Sequence, residues 1–442
     1  AIDATAQFAA AAPDSAWLPL VRVQAALVRL ARAESSRQQA ELRGASPRGL
    51  DDVREQLRDA ATALRSEADA VNAALAAGDV PLRRDGDQPS RDEWLVLRTN
   101  IAYQLSRALK GLAQTYPDNS PDRFNSLNGA AELLGPLAQL PVERPRGWPS
   151  RVDLVACLRL LGDPDAARRK LELFATQNPP AASALRLEAE RIRLLLMEQR
   201  LDEALALAEA TPATDAARSG ELDLARLETY LSAWRAAAAE SDETAAEAFK
   251  KKSQQTLTEI ETYHGSYWAR RGGLLLAAYL AAAPATGDLA VLVRAAESLY
   301  RSGQLDDALA AYDRARGRAA EDRQSAHQFQ LAFAAAAIEQ ERGRHGAAAD
   351  RYRELALAQP AEPRSAEAHY LAIQNLAAAI RDAADTATKE ETERRLAERI
   401  AWLDEHLERT PARWTAAAGR GQMTRDETHG RARRKTERQS AD

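Results

Sequence analysis

Residues that commonly carry enzyme chemistry are present in this chain, but their spacing forms no recognisable catalytic group. The 442 residues include six histidines and one cysteine, Cys157. No histidine stands near a second histidine or the cysteine at the spacing of metal ligands. The sequence contains neither a glycine-rich phosphate loop nor a Gly-x-Ser-x-Gly nucleophile turn. We therefore expect no catalytic residue, no metal site and no cofactor, and we predict a protein that is not an enzyme.

A short aromatic and basic segment is the densest group of residues suited to binding. Its members are Tyr263, Tyr267, Trp268, Arg270 and Arg271. Tryptophan, tyrosine and arginine are enriched in binding hot spots, so this patch is a secondary candidate for contact with a partner. The simpler interpretation, which we favour, is a turn at the intervening glycine whose aromatic side chains hold two helical hairpins together.

The overall charge argues against a nucleic-acid partner. The chain has 60 Lys plus Arg against 65 Asp plus Glu, a net charge of −5, whereas nucleic-acid binders are usually basic. Residues 413–442 differ, because they are basic, contain glycine and lack apolar periodicity. This composition predicts a disordered tail, which we favour as a solubilising segment; the alternative is that it contacts RNA or an acidic surface.

The sequence predicts a protein without a membrane span. Its longest apolar run, residues 274–283, is half the roughly 20 residues that a spanning helix needs, so it predicts a buried helix. Arginine far outnumbers lysine, which is typical of high-GC bacterial proteins. We expect a soluble protein of the cytoplasm or periplasm of such a bacterium.

Apolar residues recur at helical spacing along nearly the whole chain, as in the stripe that starts at Leu50, Val53 and Leu57. Ser90 and Glu93 form a capping-box signature before the next helix. No segment shows the sustained alternation of a strand. The pattern predicts an all-α protein, an α-solenoid in which helices too short to bury their apolar stripes alone stack as antiparallel hairpins.

The predicted organisation follows the breaks between helical segments. Residues 201–206 recur almost unchanged as residues 305–310, which indicates an internal repeat. We predict these segments: 1–13, the second helix of a truncated unit; 14–145, degenerate hairpins with a long hairpin at about 50–116; 146–215, repeats; 216–285, degenerate hairpins; 286–362, the best repeats; 363–412, a capping hairpin; and 413–442, the tail.

One segment resembles the tetratricopeptide repeat (TPR) family. Ala296, Gly303, Ala308, Tyr312 and Ala315 match the small, turn, small, aromatic and small positions of that repeat. Small side chains allow two helices to pack closely, and glycine tolerates the positive φ of the turn. The following unit matches at these positions: Ala336, Gly343, Ala348, Tyr352 and Pro360.

The resemblance implies a right-handed superhelix whose first helices line a concave groove. It places the groove candidates at Arg186, Glu190, Arg193, Glu297, Tyr300, Arg301, Gln330, Phe333 and Gln340. Such a groove binds a protein or peptide partner and no small-molecule substrate. The repeats that grip a terminal carboxylate use Lys and Asn, where this chain has Val293 with Glu297 and Ala189 with Arg193, so we expect no such clamp.

We therefore predict a non-catalytic protein-interaction scaffold. The alternative is a helical accessory region of a larger enzyme or cell-envelope assembly whose catalytic part precedes residue 1. Residues 1–13 suggest such a fragment because they resemble a second helix that has lost its first. An ordinary alanine-rich mature end is the other interpretation.

Overall fold

In the computed structural model, the described residues are 2–13, 15–44, 47–78, 80–82, 88–210, 218–282, 288–382 and 386–407. They form 18 helices and contain no strand. The prediction of an all-α fold of stacked helical hairpins is thus confirmed for this part of the chain. The predicted disordered tail lies outside the described residues.

The chain divides into two compact units, residues 1–279 and 280–442. The first unit contains α1 (Ile2–Ala11), α2 (Leu18–Arg43), α3 (Pro47–Ala77), α4 (Arg91–Ala113), α5 (Pro121–Ala138), α6 (Gly147–Leu160), α7 (Pro164–Ala175), α8 (Ala181–Met197), α9 (Leu201–Ala210), α10 (Gly220–Ala239), α11 (Glu243–Tyr263) and most of α12 (Gly265–Ala282). The second unit contains α13 (Leu289–Arg301), α14 (Leu305–Glu321), α15 (Ser325–Glu341), α16 (His345–Ala358), α17 (Ser365–Asp382) and α18 (Thr386–Leu407).

The apolar stripe of α3 explains how this long helix is held in the fold. Val53, Leu57 and Leu64 are buried against α2 and α4. The helix α4 begins with the predicted capping box, because the Glu93 backbone N–H donates to Ser90 Oγ at 3.3 Å. In return, the Ser90 N–H donates to Glu93 Oε2 at 2.7 Å. This arrangement satisfies donors that the first helical turn would otherwise leave unpaired.

Small residues and turn glycines determine how the later hairpins pack. Ala296, Ala308 and Ala315 are fully buried, and so are Ala336 and Ala348 in the next hairpin. The turns between the paired helices contain glycines with φ of +75° and +70°, a conformation that glycine adopts without strain.

Each repeat therefore buries its stripe against the neighbouring helices. In the first unit, α6 contacts both α7 and α8, and α8 contacts both α9 and α10. Alternate helices thus pack side by side, which is the contact pattern of a helical repeat. As a result, one helix of each successive hairpin lies on a shared face.

Burial also distinguishes Cys157 and the apolar run that was predicted to form a buried helix. Cys157 is fully buried, and burial raises the pKa of its thiol to about 12. The apolar run of α12 contains the buried residues Leu276, Ala277 and Leu280. Among the helices that the structure describes, none combines the length and apolar content needed to cross a membrane.

Candidate partner-binding site

A pocket of about 370 Å³ opens on the shared face of the first unit. The helices α4, α6, α8, α10 and α12 each contribute side chains to it, one helix from each successive hairpin. Five cations and four carboxylates line it, together with one tryptophan and a few apolar side chains. The lining residues are Lys110, Gln114, Val152, Asp153, Ala156, Arg159, Leu160, Arg186, Glu190, Arg193, Leu196, Glu221, Glu228, Trp268 and Arg271.

The carboxylate of Asp153 is buried in this pocket and accepts hydrogen bonds from three side chains. Its Oδ1 accepts from Lys110 Nζ at 2.5 Å and from Arg186 Nη2 at 3.2 Å, while Oδ2 accepts from the Tyr103 hydroxyl at 3.0 Å. Burial by itself would raise the pKa of Asp153, but the two cations and these hydrogen bonds outweigh it and lower the pKa. Burial likewise opposes the charge on Lys110, and Asp153 reverses this effect and raises the pKa of the ammonium. The network therefore keeps a buried charge pair ionised.

Glu190 on α8, the next helix of this face, is a second buried carboxylate that accepts from two cations. Its Oε2 accepts from Arg159 Nε at 2.7 Å and its Oε1 from Arg193 Nη1 at 3.2 Å. Burial favours the neutral acid, yet the two arginines lower the pKa of Glu190 below its usual value. Both oxygens of this carboxylate are thus used inside the protein.

Two outer carboxylates connect α8 to α10. Arg186 Nε donates to Glu221 Oε2 at 2.8 Å, and Arg193 Nε donates to Glu228 Oε2 at 3.2 Å. The two residues of each pair are 35 positions apart in the chain, one on α8 and the other on α10. The ion pairs therefore fix the spacing of these two helices, which line the pocket.

The aromatic and basic patch closes one side of the same pocket. Glu41 of α2 accepts from the Tyr267 hydroxyl at 3.2 Å and from Arg271 Nε at 2.9 Å. The ring of Trp268 lies directly on Gly220, where an added Cβ would come within 2.6 Å of the ring. These contacts join α12 to α2 and to α10, and Trp268 and Arg271 lie in the pocket wall.

The rest of the patch lies elsewhere. Tyr263 is exposed, and the Arg218 guanidinium lies 3.7 Å from the centre of its ring. Arg270 is also exposed, and Gly265 makes the turn before α12 with φ +75°. Of the five patch residues, only Trp268 and Arg271 line the pocket.

The structure brings the first three groove candidates together. Arg186, Glu190 and Arg193 lie on one face of α8 and all line the pocket. Sequence reasoning did not find the residues that complete the ion pairs, namely Lys110, Asp153, Arg159, Glu221 and Glu228. The available signal was the recurrence of opposite charges about one repeat apart, which the sequence shows only once the period is known.

The second unit contains the other groove candidates, and they differ in accessibility. On α13, Tyr300 is 42% exposed, and Arg301 Nη2 donates to Glu297 Oε2 at 2.5 Å. A hydrogen bond to Glu341 of α15 is the main cause of the raised pKa of Tyr300. These residues form an exposed polar surface on α13.

On α15, the three candidates have different surroundings. Gln330 is exposed, and Gln340 Oε1 accepts from Asn375 Nδ2 at 2.9 Å. Phe333 is only 8% exposed and packs edge-on against Tyr352, with ring centres 5.1 Å apart. Phe333 therefore belongs to the core of this unit and offers little surface to a partner. At this position of α15, a large apolar side chain extends to the facing helix α16, where Tyr352 lies.

No group of three or more His, Cys, Asp or Glu side chains within the described ranges is arranged to hold a metal ion. The groups that the pocket offers are charged side chains that form hydrogen bonds and one indole ring.

Comparison with known proteins gives only distant similarities. No family model matches the chain, and no curated protein matches it. One similar solved structure is a signal-transduction ATPase of the STAND class with a tetratricopeptide repeat sensor from Pyrococcus horikoshii. It is 13% identical with a TM-score of 0.27, and the match covers 80% of this chain but only 53% of that one.

A second similar structure is a circular tandem repeat protein with a novel repeat topology. It is 15% identical with a TM-score of 0.21, and the match covers 92% of this chain and 84% of that one. Similarities this low carry no conclusion about function. The helical repeat fold follows from the helices and their packing described above.

Proposed function

We propose that this chain is a non-catalytic scaffold that binds a protein or peptide partner on the face formed by alternate helices. The pocket lined by α4, α6, α8, α10 and α12 carries this proposal, because it is built from one helix of each successive hairpin. A partner that lies across these helices meets a continuous row of side chains. The alternative, an accessory region of a larger assembly, would use the same face.

The hairpins of the second unit support a finer proposal, that the repeats are TPR-like units. Their small positions are filled by buried alanines such as Ala308 and Ala348. Their turns use Gly303 and Gly343 at positive φ. In such repeats the first helix of each hairpin presents the binding surface, which here corresponds to α13 and α15.

Affinity capture with the full chain as bait tests the scaffold proposal. The bait is compared with two groove variants, each covering one unit. In the first unit the variant is Arg271→Gln, and in the second it is Glu297→Arg, Tyr300→Ala and Arg301→Glu. We expect a protein that the wild-type bait retains and that at least one groove variant loses.

A matched control is Arg200→Gln, because Arg200 is exposed and pairs with Glu203 but does not line the pocket. The control bait should retain the partner fully. If every protein captured by wild type is retained equally by both groove variants, the helix face is not the binding surface and the proposal fails.

A further inference from the structure

The side chains that line the pocket of the first unit carry more hydrogen-bond donors than there are acceptors bound to them within the described residues. The pocket's two inner carboxylates, Asp153 and Glu190, are 5% and 9% exposed and accept bonds at both oxygens. Three of the cations that line the pocket form fewer hydrogen bonds than their donors allow. They are Lys110 on α4, Arg159 on α6 and Arg271 on α12.

Three cations retain free donors toward the pocket. Arg159 donates only through Nε, Lys110 makes one hydrogen bond with its ammonium, and Arg271 pairs only through Nε, all counted among the described residues. The terminal guanidinium nitrogens of both arginines and two ammonium protons therefore have no acceptor in this part of the chain. The exposed fractions of these side chains, 17%, 21% and 37%, allow an incoming group to reach them.

The charge balance of the lining limits what such a group can be. Five cations and four carboxylates line the pocket, and Arg271 is paired with Glu41, which lies outside this lining. Because both oxygens of Asp153 and of Glu190 already accept hydrogen bonds while cationic donors remain, an incoming anion finds donors and an incoming cation finds no free oxygen on these two carboxylates. Charged donors bind carboxylate oxygens with short and strong hydrogen bonds, and arginine can bind both oxygens at once.

We propose that this pocket binds the side-chain carboxylate of an acidic segment of the partner, held by Lys110, Arg159 and Arg271 beside the ring of Trp268. This inference rests on the scaffold function and specifies the chemistry of its ligand. It concerns an internal Asp or Glu side chain and needs no free carboxyl terminus. The volume of about 370 Å³ accommodates one such side chain and its flanking backbone.

Calorimetric titration with hexaglutamate tests the proposal directly. The peptide is acetylated and amidated, so that its side chains provide the only carboxylates. Hexaglutamine and hexalysine with the same ends serve as probes of matched length, and inorganic phosphate distinguishes a small free anion from a peptide. Titrations are run at low ionic strength and again at about 150 mM salt, where the Debye length is about 8 Å.

We expect hexaglutamate to bind and the glutamine and lysine peptides to show no heat above dilution. The variant Arg271→Gln should weaken hexaglutamate binding by about 12- to 140-fold, since a hydrogen bond to a charged group contributes about 1.5–3 kcal/mol and 1.4 kcal/mol is tenfold in affinity. We expect this variant to fold as wild type does, because Arg271 is 37% exposed and Glu41 keeps Tyr267 and Arg37 as donors. The control Arg200→Gln should bind as wild type does.

Arg159→Lys provides a second variant, because it keeps the charge on Glu190 paired but removes the planar fork. It should weaken binding less than Arg271→Gln does. Equal affinity of wild type, Arg271→Gln and Arg200→Gln would overturn the proposal and place any peptide binding elsewhere, for example on the basic segment 413–442. Phosphate binding that competes fully with the peptide would reassign the pocket to a small free anion.

Failure of this proposal can be separated from failure of the scaffold function. If hexaglutamate does not bind but the groove variants still lose a captured protein, the scaffold stands and the carboxylate assignment is wrong. If neither experiment depends on the groove variants, both proposals are wrong.

Discussion

Removing the buried carboxylate of Asp153 should lower the stability of the first unit. In Asp153→Ala, the Lys110 ammonium loses its ion-pair partner within the protein, whereas Arg186 keeps its bond to Glu221. Breaking a fully buried ion pair on one side costs about 3–5 kcal/mol, and because the Lys110 side chain is 21% exposed we expect a loss of about 2–3 kcal/mol. A loss of that size lowers the melting temperature by about 4–12 °C, at about 2–4 °C for each kcal/mol.

The assay is thermal and urea unfolding, followed by circular dichroism, of Asp153→Ala and of Asp153→Leu combined with Lys110→Met. The double variant removes both charges and should recover most of the lost stability, since a buried pair can be replaced by apolar groups at little cost. Asp165→Ala is the control, because Asp165 pairs with Arg168 at the surface and should cost less than about 1 kcal/mol. If Asp153→Ala and the control unfold alike, or if the double variant recovers nothing, the buried pair does not hold the pocket helices together.

Three further predictions concern packing, reactivity and acid stability. Gly220→Ala should lower the free energy of unfolding by about 1–3 kcal/mol, because its Cβ would displace the ring of Trp268 from α10. The displaced ring should shift tryptophan emission to longer wavelength. The control Gly135→Ala, with open space around it, should be neutral or slightly stabilising. Cys157, with its pKa raised to about 12, should resist a thiol reagent at pH 8 in the folded protein and react at once in urea; labelling of the native protein would contradict its burial. Because the folded pKa of Glu190 is lowered, its contribution to stability is present above the unfolded pKa of about 4 and is lost as the pH falls through the folded pKa. Urea unfolding at neutral and acid pH should therefore show a smaller acid loss in Glu190→Gln than in wild type, and equal losses would be the contrary result.

Local signals in the sequence were sufficient to predict the fold. The stripe that includes Leu57 and Leu64 reports which face of α3 is buried, because helical periodicity depends only on neighbouring residues. The turn glycine Gly303 and the small residue Ala308 report how a hairpin closes. These features follow from local sterics, so a single sequence reveals them.

The site could be predicted only in part, because it depends on contacts between repeats. Arg186 was identified from its position on a first helix, but its partners Asp153 and Glu221 lie 33 and 35 residues away. Nothing in the sequence states which of many charged residues meet across the helices. Phe333 was predicted to line the groove, but its side chain is buried against Tyr352. The position of a residue on the helix did not reveal that its large side chain packs between the helices.

Cysteine footprinting of the pocket tests the central proposal most directly. Since the native thiol is buried, the variant Glu228→Cys introduces a single reactive thiol in the pocket wall, and Asp202→Cys introduces one on the exposed surface of α9 as a control. Each variant is labelled with a fluorescent maleimide, with and without the captured partner or hexaglutamate at about ten times its Kd. We predict that labelling at position 228 slows about tenfold, in proportion to the unbound fraction, while labelling at position 202 is unchanged. Equal labelling rates at position 228 with and without the bound ligand would show that the ligand does not occupy this pocket.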